Sequence, residues 1–227
     1  MKYYYFLMLF VCMLSNADTP RTFEPATLKN SGLAFKNIIK FPKIKWEGTI
    51  VIRCDAHISH LGAFLSNYCF DRSSNASPFV SAINRAAHNG KIKPAKIDGA
   101  SHSVWFQYYV VFSKKGRKTL VEVVQNSGLQ VATYGTEYTS AQRHKEDSGG
   151  FAVGCGTLYV KTIKIKTIIG KNGKAKATQV EGEGLTQTCK DNLVSDFSEQ
   201  EFVPAFVEGK AIDSFYEEEL FNHYKPW

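Results

Sequence analysis

Ile92-Lys93-Pro94-Ala95-Lys96-Ile97-Asp98-Gly99 and Phe202-Val203-Pro204-Ala205-Phe206-Val207-Glu208-Gly209 share the pattern Pro-Ala-x-x-[Asp/Glu]-Gly. Pro fixes φ, and Gly after an acidic residue closes a turn, so each segment introduces a new strand. That strand starts at the same distance in both: Trp105-Phe106 and Phe215-Tyr216 each begin eleven residues after their Pro. Upstream, turn glycines Gly62 and Gly173 stand thirty-two and thirty-one residues before Pro94 and Pro204. One spacing used twice predicts two similar units in one chain. The landmark residues Pro94, Ala95, Gly99, Pro204, Ala205 and Gly209 are assigned a structural role.

The elements between the landmarks fill in the units. Residues 48–58 are rich in β-branched side chains and predict a strand, with a turn at 59–62 and a returning strand over 63–70. Ser77 suits an N-cap and Pro78 a first helical position. Phe79, Ala82, Ile83, Ala86 and Ala87 then recur at helical spacing, and Asn89-Gly90 ends the helix. A long aromatic strand follows over 104–112. The second unit repeats the order: strand 160–169, a Gly-Lys-Asn-Gly turn at 170–173, strand 174–180, a polar helix over 188–198 carrying Leu193, Val194 and Phe197, and a last strand over 215–223. Residues 119–125 are a further strand candidate. The polar stretch 127–156 is a connection with room for one short strand.

Lys2 followed by an apolar run over 3–14 and the small residues Ser15-Asn16-Ala17 is the pattern of a signal peptide cut after Ala17. The run is shorter than the roughly 20 residues that span a bilayer. The expected location is therefore periplasmic or secreted, the alternative being an uncleaved anchor. Of five cysteines, Cys12 falls in the leader. Cys54, Cys69, Cys155 and Cys189 remain, an even set in an oxidising compartment. Four cysteines allow three pairings. Cys54 and Cys69 lie equidistant from the Leu61/Gly62 turn, so a hairpin sets them opposite each other. This leaves Cys155 with Cys189.

The net charge of +7 is spread along the chain. It lacks the dense basic face with interleaved aromatics of a nucleic-acid protein. Asp147-Ser148-Gly149-Gly150 resembles a serine-protease nucleophile stretch, but Glu146 stands where that pattern has Gly. His57-x-x-His60 lacks a third ligand. Glu217-Glu218-Glu219 alternates faces on a strand and suits a charged edge better than a carboxylate pair. No catalytic, metal or cofactor site is expected, and the chain is read as a non-enzyme.

With hairpin, helix, Pro-Ala-x-x-x-Gly segment and final strand in place, the sequence resembles the C-terminal domain of TonB-type energy transducers, twice over. The resemblance covers about 46–112 and 160–224, without the anchor and Pro-rich spacer of a full transducer. It implies an α+β fold of two tandem β-β-α-β units, each an antiparallel sheet with one packed helix. The expected layout is a leader (1–17), an irregular arm (18–45), a first unit (46–126), a connection (127–156) and a second unit (157–227). The resemblance also implies a partner, an extended peptide or protein such as an outer-membrane receptor, added to a sheet edge. The implied edges carry Trp105, Gln107, Tyr109 and Val110 in one unit and Phe215, Glu217 and Glu219 in the other. The competing expectation is a non-catalytic envelope protein, a homodimer that self-associates through its sheet edges.

Overall fold

A computed structural model describes residues 21–28, 32–70, 76–144 and 162–220. β1 (Phe23–Glu24) and α1 (Gly32–Ile38) open the chain. β2 (Gly48–Ile58) and β3 (Phe64–Phe70) form a hairpin, and α2 (Ser77–Ala87) follows. β4 (Ala95–Ile97) and β5 (Ala100–His102) make a small ribbon leading into β6 (Val104–Lys115) and β7 (Lys118–Val124). Next come α3 (Gly128–Tyr134) and β8 (Gln142–Arg143). The second hairpin is β9 (Ile163–Ile169) with β10 (Ala175–Glu181), followed by α4 (Gln187–Glu199). β11 (Phe202–Val203), β12 (Ala205–Val207), β13 (Lys210–Ile212) and β14 (Ser214–Leu220) complete the described chain. The architecture is α+β. The two main sheets have the orders β3-β2-β6-β7 and β10-β9-β14, with antiparallel pairing throughout.

Alternation along β2 and β6 sorts the first sheet into two faces. Ile52, Cys54, Ala56 and Ile58 point inward with Phe106, Tyr108, Val110 and Phe112, and all are buried. α2 covers this face with Phe79, Ala82, Ile83, Ala86 and Ala87, its buried residues. Burying Phe79 and Ile83 stabilises by about 1.5–3 kcal/mol each. Cys54 and Cys69 are directly paired in register and disulfide-bonded. Cys189 is buried on α4 and disulfide-bonded; Cys155 lies outside the described residues, as do Asp147 and its neighbours.

The turns of the two hairpins are built alike. Gly62 N–H donates to Ser59 O and Gly173 N–H to Gly170 O. Both glycines have positive φ, 80° and 75°. A Cβ on Gly62 would sit 2.1 Å from Ile92 O, and one on Gly173 2.3 Å from Phe202 O. Ile92 and Phe202 each stand two residues before a landmark Pro and donate back to the glycine carbonyl, at 2.9 and 3.0 Å. The landmark turns also agree. Asp98 and Glu208 both have φ 51°, followed by Gly99 at 82° and Gly209 at 76°. Two successive positive-φ residues make the tight turn of a two-residue hairpin, β4–β5 in one case and β12–β13 in the other.

Three expectations are corrected. Residues 18–45 are not a loose arm where they are described. β1 pairs with β4, and Ala26, Phe35 and Ile39 are core residues. Arg21 and Thr22 hold the Asp98 carboxylate at 2.9 and 2.8 Å. A polar composition hid the few apolar anchors that suffice. Ser77 is not the N-cap; Ala76 is, and no side chain caps this helix. From Tyr109 onward β6 is not an edge, since it pairs there with β2 on one side and β7 on the other. Tyr109 and Val110 therefore belong to a central stretch, and Val110 is fully buried; Trp105 and Gln107 lie before it, where β6 is paired with β2 but not with β7. The β7 strand was legible at 119–125, but nothing local specifies that it docks on β6.

Candidate functional site

The outer face of the first sheet meets the second sheet edge-on. Directly paired residues set its rows: His57 beside Trp105, Asp55 beside Gln107, Arg53 beside Tyr109. Gln107 Nε2 donates to the backbone carbonyl of Glu217 at 2.5 Å, and Arg53 Nη2 approaches the same oxygen at 3.5 Å. β14 pairs with β9 on one side only, and among the described residues no strand pairs with its other side. Since the Glu217 carbonyl points away from β9, the backbone groups of Phe215 and Glu219, two residues either way, point outward too.

A cleft of about 310 Å³ runs along this edge, lined by Arg53, Gln107 and Tyr109 below, Phe215 and Glu217 on β14, and Leu129 on α3. Four of the residues expected at partner-binding edges thus meet in one place: Gln107, Tyr109, Phe215 and Glu217. Val110 faces the opposite core. Trp105 stacks on His57 and Tyr68, at 5.5 and 6.1 Å between ring centroids. Glu219 lies 3.9 Å from Lys164 across the ladder.

A buried ionic cluster fixes the edge in place. Arg143 is bidentate on Glu218, at 2.9 and 2.8 Å, and Tyr216 donates its hydroxyl to the same carboxylate at 2.6 Å. The Arg143 guanidinium lies 5.5 Å from the Trp105 ring centroid and 5.3 Å from that of Phe197. One side chain therefore joins the α4 core, the last strand and the first sheet. Burial is the largest single influence on the Arg143 cation and opposes it, but Glu218 and Tyr216 together outweigh burial and raise the pKa. Burial also drives the Tyr216 hydroxyl far above its ordinary range, with Glu218 adding to the effect.

Asp55 sits beside this cluster. Burial pushes its pKa up to about 7; Arg53 at 3.2 Å opposes the shift, and nearby Glu218 and Glu219 add to it. Sequence reasoning missed both Arg143 and Asp55. Arg143 lies in the polar connection, where one signal was available for its neighbourhood. Ser127-x-x-Gln130 is a capping box, formed in both directions at the start of α3.

Comparison with known protein families, curated proteins and solved structures finds no match. The geometry alone carries the functional argument. Among the described residues no group of three or more His, Cys, Asp or Glu side chains is placed to hold a metal ion. None of their helices is long and apolar enough to cross a membrane.

Proposed function

We propose that the chain is a protein- or peptide-binding module of the TonB C-terminal type, acting outside the cytoplasm. It takes an extended segment along the outer edge of β14, in the service of receptor-linked transport. The observation that carries this reading is the edge itself: the outward backbone groups of Phe215 and the N–H of Glu217 face a cleft between the sheets, while the Glu217 carbonyl is held by Gln107. Strand addition supplies affinity through such groups and specificity through alternate side chains. The shared turn geometry at Gly62 and Gly173, and at Asp98-Gly99 and Glu208-Gly209, supports reading 46–126 and 157–227 as two copies of one β-β-α-β design. The Cys54–Cys69 disulfide supports an oxidising compartment. In the first copy β6, the strand that corresponds to β14, is flanked by β7 from Tyr109 onward, so binding is assigned to the second copy alone.

Backbone hydrogen exchange tests the site. Extended peptides selected against the chain from a random library are expected to protect the amides of Phe215 and Glu217. Glu217→Pro removes an outward donor without touching the β9 ladder, and is expected to abolish that binding. Selected peptides that protect another surface, or that bind the proline variant equally well, overturn the assignment.

A further inference from the structure

Four strands bound the two main sheets: β3 and β7 in the first, β10 and β14 in the second. Three of these edges are interrupted or engaged. The register of β3 on β2 shifts between His57 and Ile58, and that of β10 on β9 between Ala175 and Ala177. Such bulges turn an edge away from further pairing. On β14 the Glu217 carbonyl is held by Gln107. β7 has neither device. Its register on β6 runs unbroken from Lys118 to Val124, and the strand contains no Pro. α1 lies on the inner face of the sheet, where Phe35 packs on Tyr108. The outer face of β7 carries exposed apolar side chains, Leu120 at 46 % and Val124 at 39 %. A straight edge with apolar side chains is a template for another strand.

The turn before β7 fixes which backbone groups face outward. Lys115 and Lys118 flank a two-residue loop, so they exchange hydrogen bonds, as do the pairs Ser113–Leu120 and Val111–Glu122. The N–H and C=O groups of Thr119, Val121 and Val123 therefore point away from β6. Among the described residues no backbone group pairs with them. Alternation puts the side chains of Lys118, Leu120 and Glu122 together on the outer face, with Leu120 midway between a cation and an anion. Among the described residues neither Lys118 nor Glu122 makes an ion pair. Glu47 borders the same open cleft as Lys118 and accepts the Gly116 N–H at 3.0 Å.

We propose that β7 pairs with β7 of a second copy of the chain, antiparallel and centred on Leu120, so that two four-stranded sheets become one. A two-fold axis there sets Leu120 against Leu120 of the other copy, and Lys118 of each copy against Glu122 of the other. Thr119 of each copy faces Val121 of the other as a hydrogen-bonded pair, which uses the outward groups. The register follows from the charges. An axis at Val121 would set Lys118 against Val124 and Leu120 against Glu122. An axis at Lys118 or at Glu122 would set like charges against each other. Only the axis at Leu120 pairs both charges with their opposites, and opposite charges directly across a ladder favour it while like charges oppose it. The contact is edge to edge on the first sheet and does not depend on what binds β14.

Sedimentation velocity and amide hydrogen exchange of the purified chain test this together. The native chain is expected to dimerise, and the amides of Thr119 and Val121 to gain protection as concentration rises. Thr119→Pro removes an outward N–H without touching the β6 ladder, and is expected to leave a folded monomer. Lys118→Glu and Glu122→Lys are each expected to raise the dimer dissociation constant about tenfold, because each sets like charges opposite one another twice per dimer. The two substitutions together are expected to restore the native value, since exchanging the charges recreates both pairs. That restoration excludes misfolding as the cause of either loss and fixes the register. A native chain that stays monomeric at every concentration overturns the proposal and leaves the edge to a foreign strand. So does a dimer in which Thr119 and Val121 stay unprotected, or a loss that the combined variant does not restore.

Discussion

Asp55 places a carboxyl group where ionisation is costly. Its pKa is pushed up to about 7 by burial, against the pull of Arg53. Between the ordinary carboxylate range and about 7, the native state keeps a proton that the unfolded chain has released. Stability therefore falls as pH rises through that window and levels off above it. At about 1.4 kcal/mol per unit, the penalty at the top is on the order of 4 kcal/mol. Asp55→Asn removes the charge and keeps the shape. It is expected to raise the melting temperature at about pH 8 and to change it little at about pH 4. Thermal melts at the two pH values check this; an equal effect at both would show that Asp55 is already ionised or already neutral throughout. No local pattern announces this residue. Asp55 follows Cys54 in a strand whose odd positions face outward, and only the arrival of β14 and Glu218 turns that surface position into an interior one. Cys54 itself was legible, because hairpin symmetry about a turn is local information.

The turns are the elements where sequence and structure agree most closely, and they invite a comparison within one chain. Asp98-Gly99 and Glu208-Gly209 adopt the same pair of positive-φ conformations. Asp and Asn tolerate that region several-fold better than other non-glycine residues, and Glu does not share the advantage. Glu208 is exposed and bears the strain alone. Glu208→Asn is expected to stabilise the chain by about 0.5–1 kcal/mol, read as a shift of the urea midpoint with unchanged slope. The hairpin glycines are the opposite case. Gly62→Ala and Gly173→Ala each drive a methyl group into a backbone carbonyl and force a strained φ. Each is expected to cost about 1–3 kcal/mol. A neutral result at Gly173 with a loss at Gly62 would break the equivalence of the two turns. The α2 stripe was legible for the same local reason as these turns: helical spacing of Phe79, Ala82, Ile83, Ala86 and Ala87 states which face is buried. The position of β6 was not. Its sequence is that of an aromatic strand, and whether such a strand lies at an edge depends on where 118–124 folds back.

At the scale of the molecule, the two sheets are not separate bodies joined by a linker. Val203 of β11 is part of the core beneath the first sheet, and Phe206 packs against that same core. β8 pairs with β11, while His144 beside it bridges to Val104 at the start of β6. Arg21 reaches both Asp98 and Glu201. Arg143 spans both bodies of side chains through Trp105 and Phe197. Unfolding the second sheet alone would strip Val203 from the first core. It would also leave Trp105, Asp55 and Arg53 facing water, with the bidentate Arg143–Glu218 pair broken, and breaking such a buried pair costs about 3–5 kcal/mol. A state with one sheet folded therefore carries most of the cost of unfolding and little of the gain in chain entropy. Calorimetry is expected to show one transition, with calorimetric and van't Hoff enthalpies equal. Arg143→Ala is expected to lower that transition without splitting it. Two resolved transitions in the native chain would mean that each sheet and its helix stand alone, and the cleft along β14 would then be a hinge between two modules. With one transition the cleft has rigid walls, and the outward groups of Phe215 and Glu217 stay fixed relative to the face that carries Arg53 and Gln107.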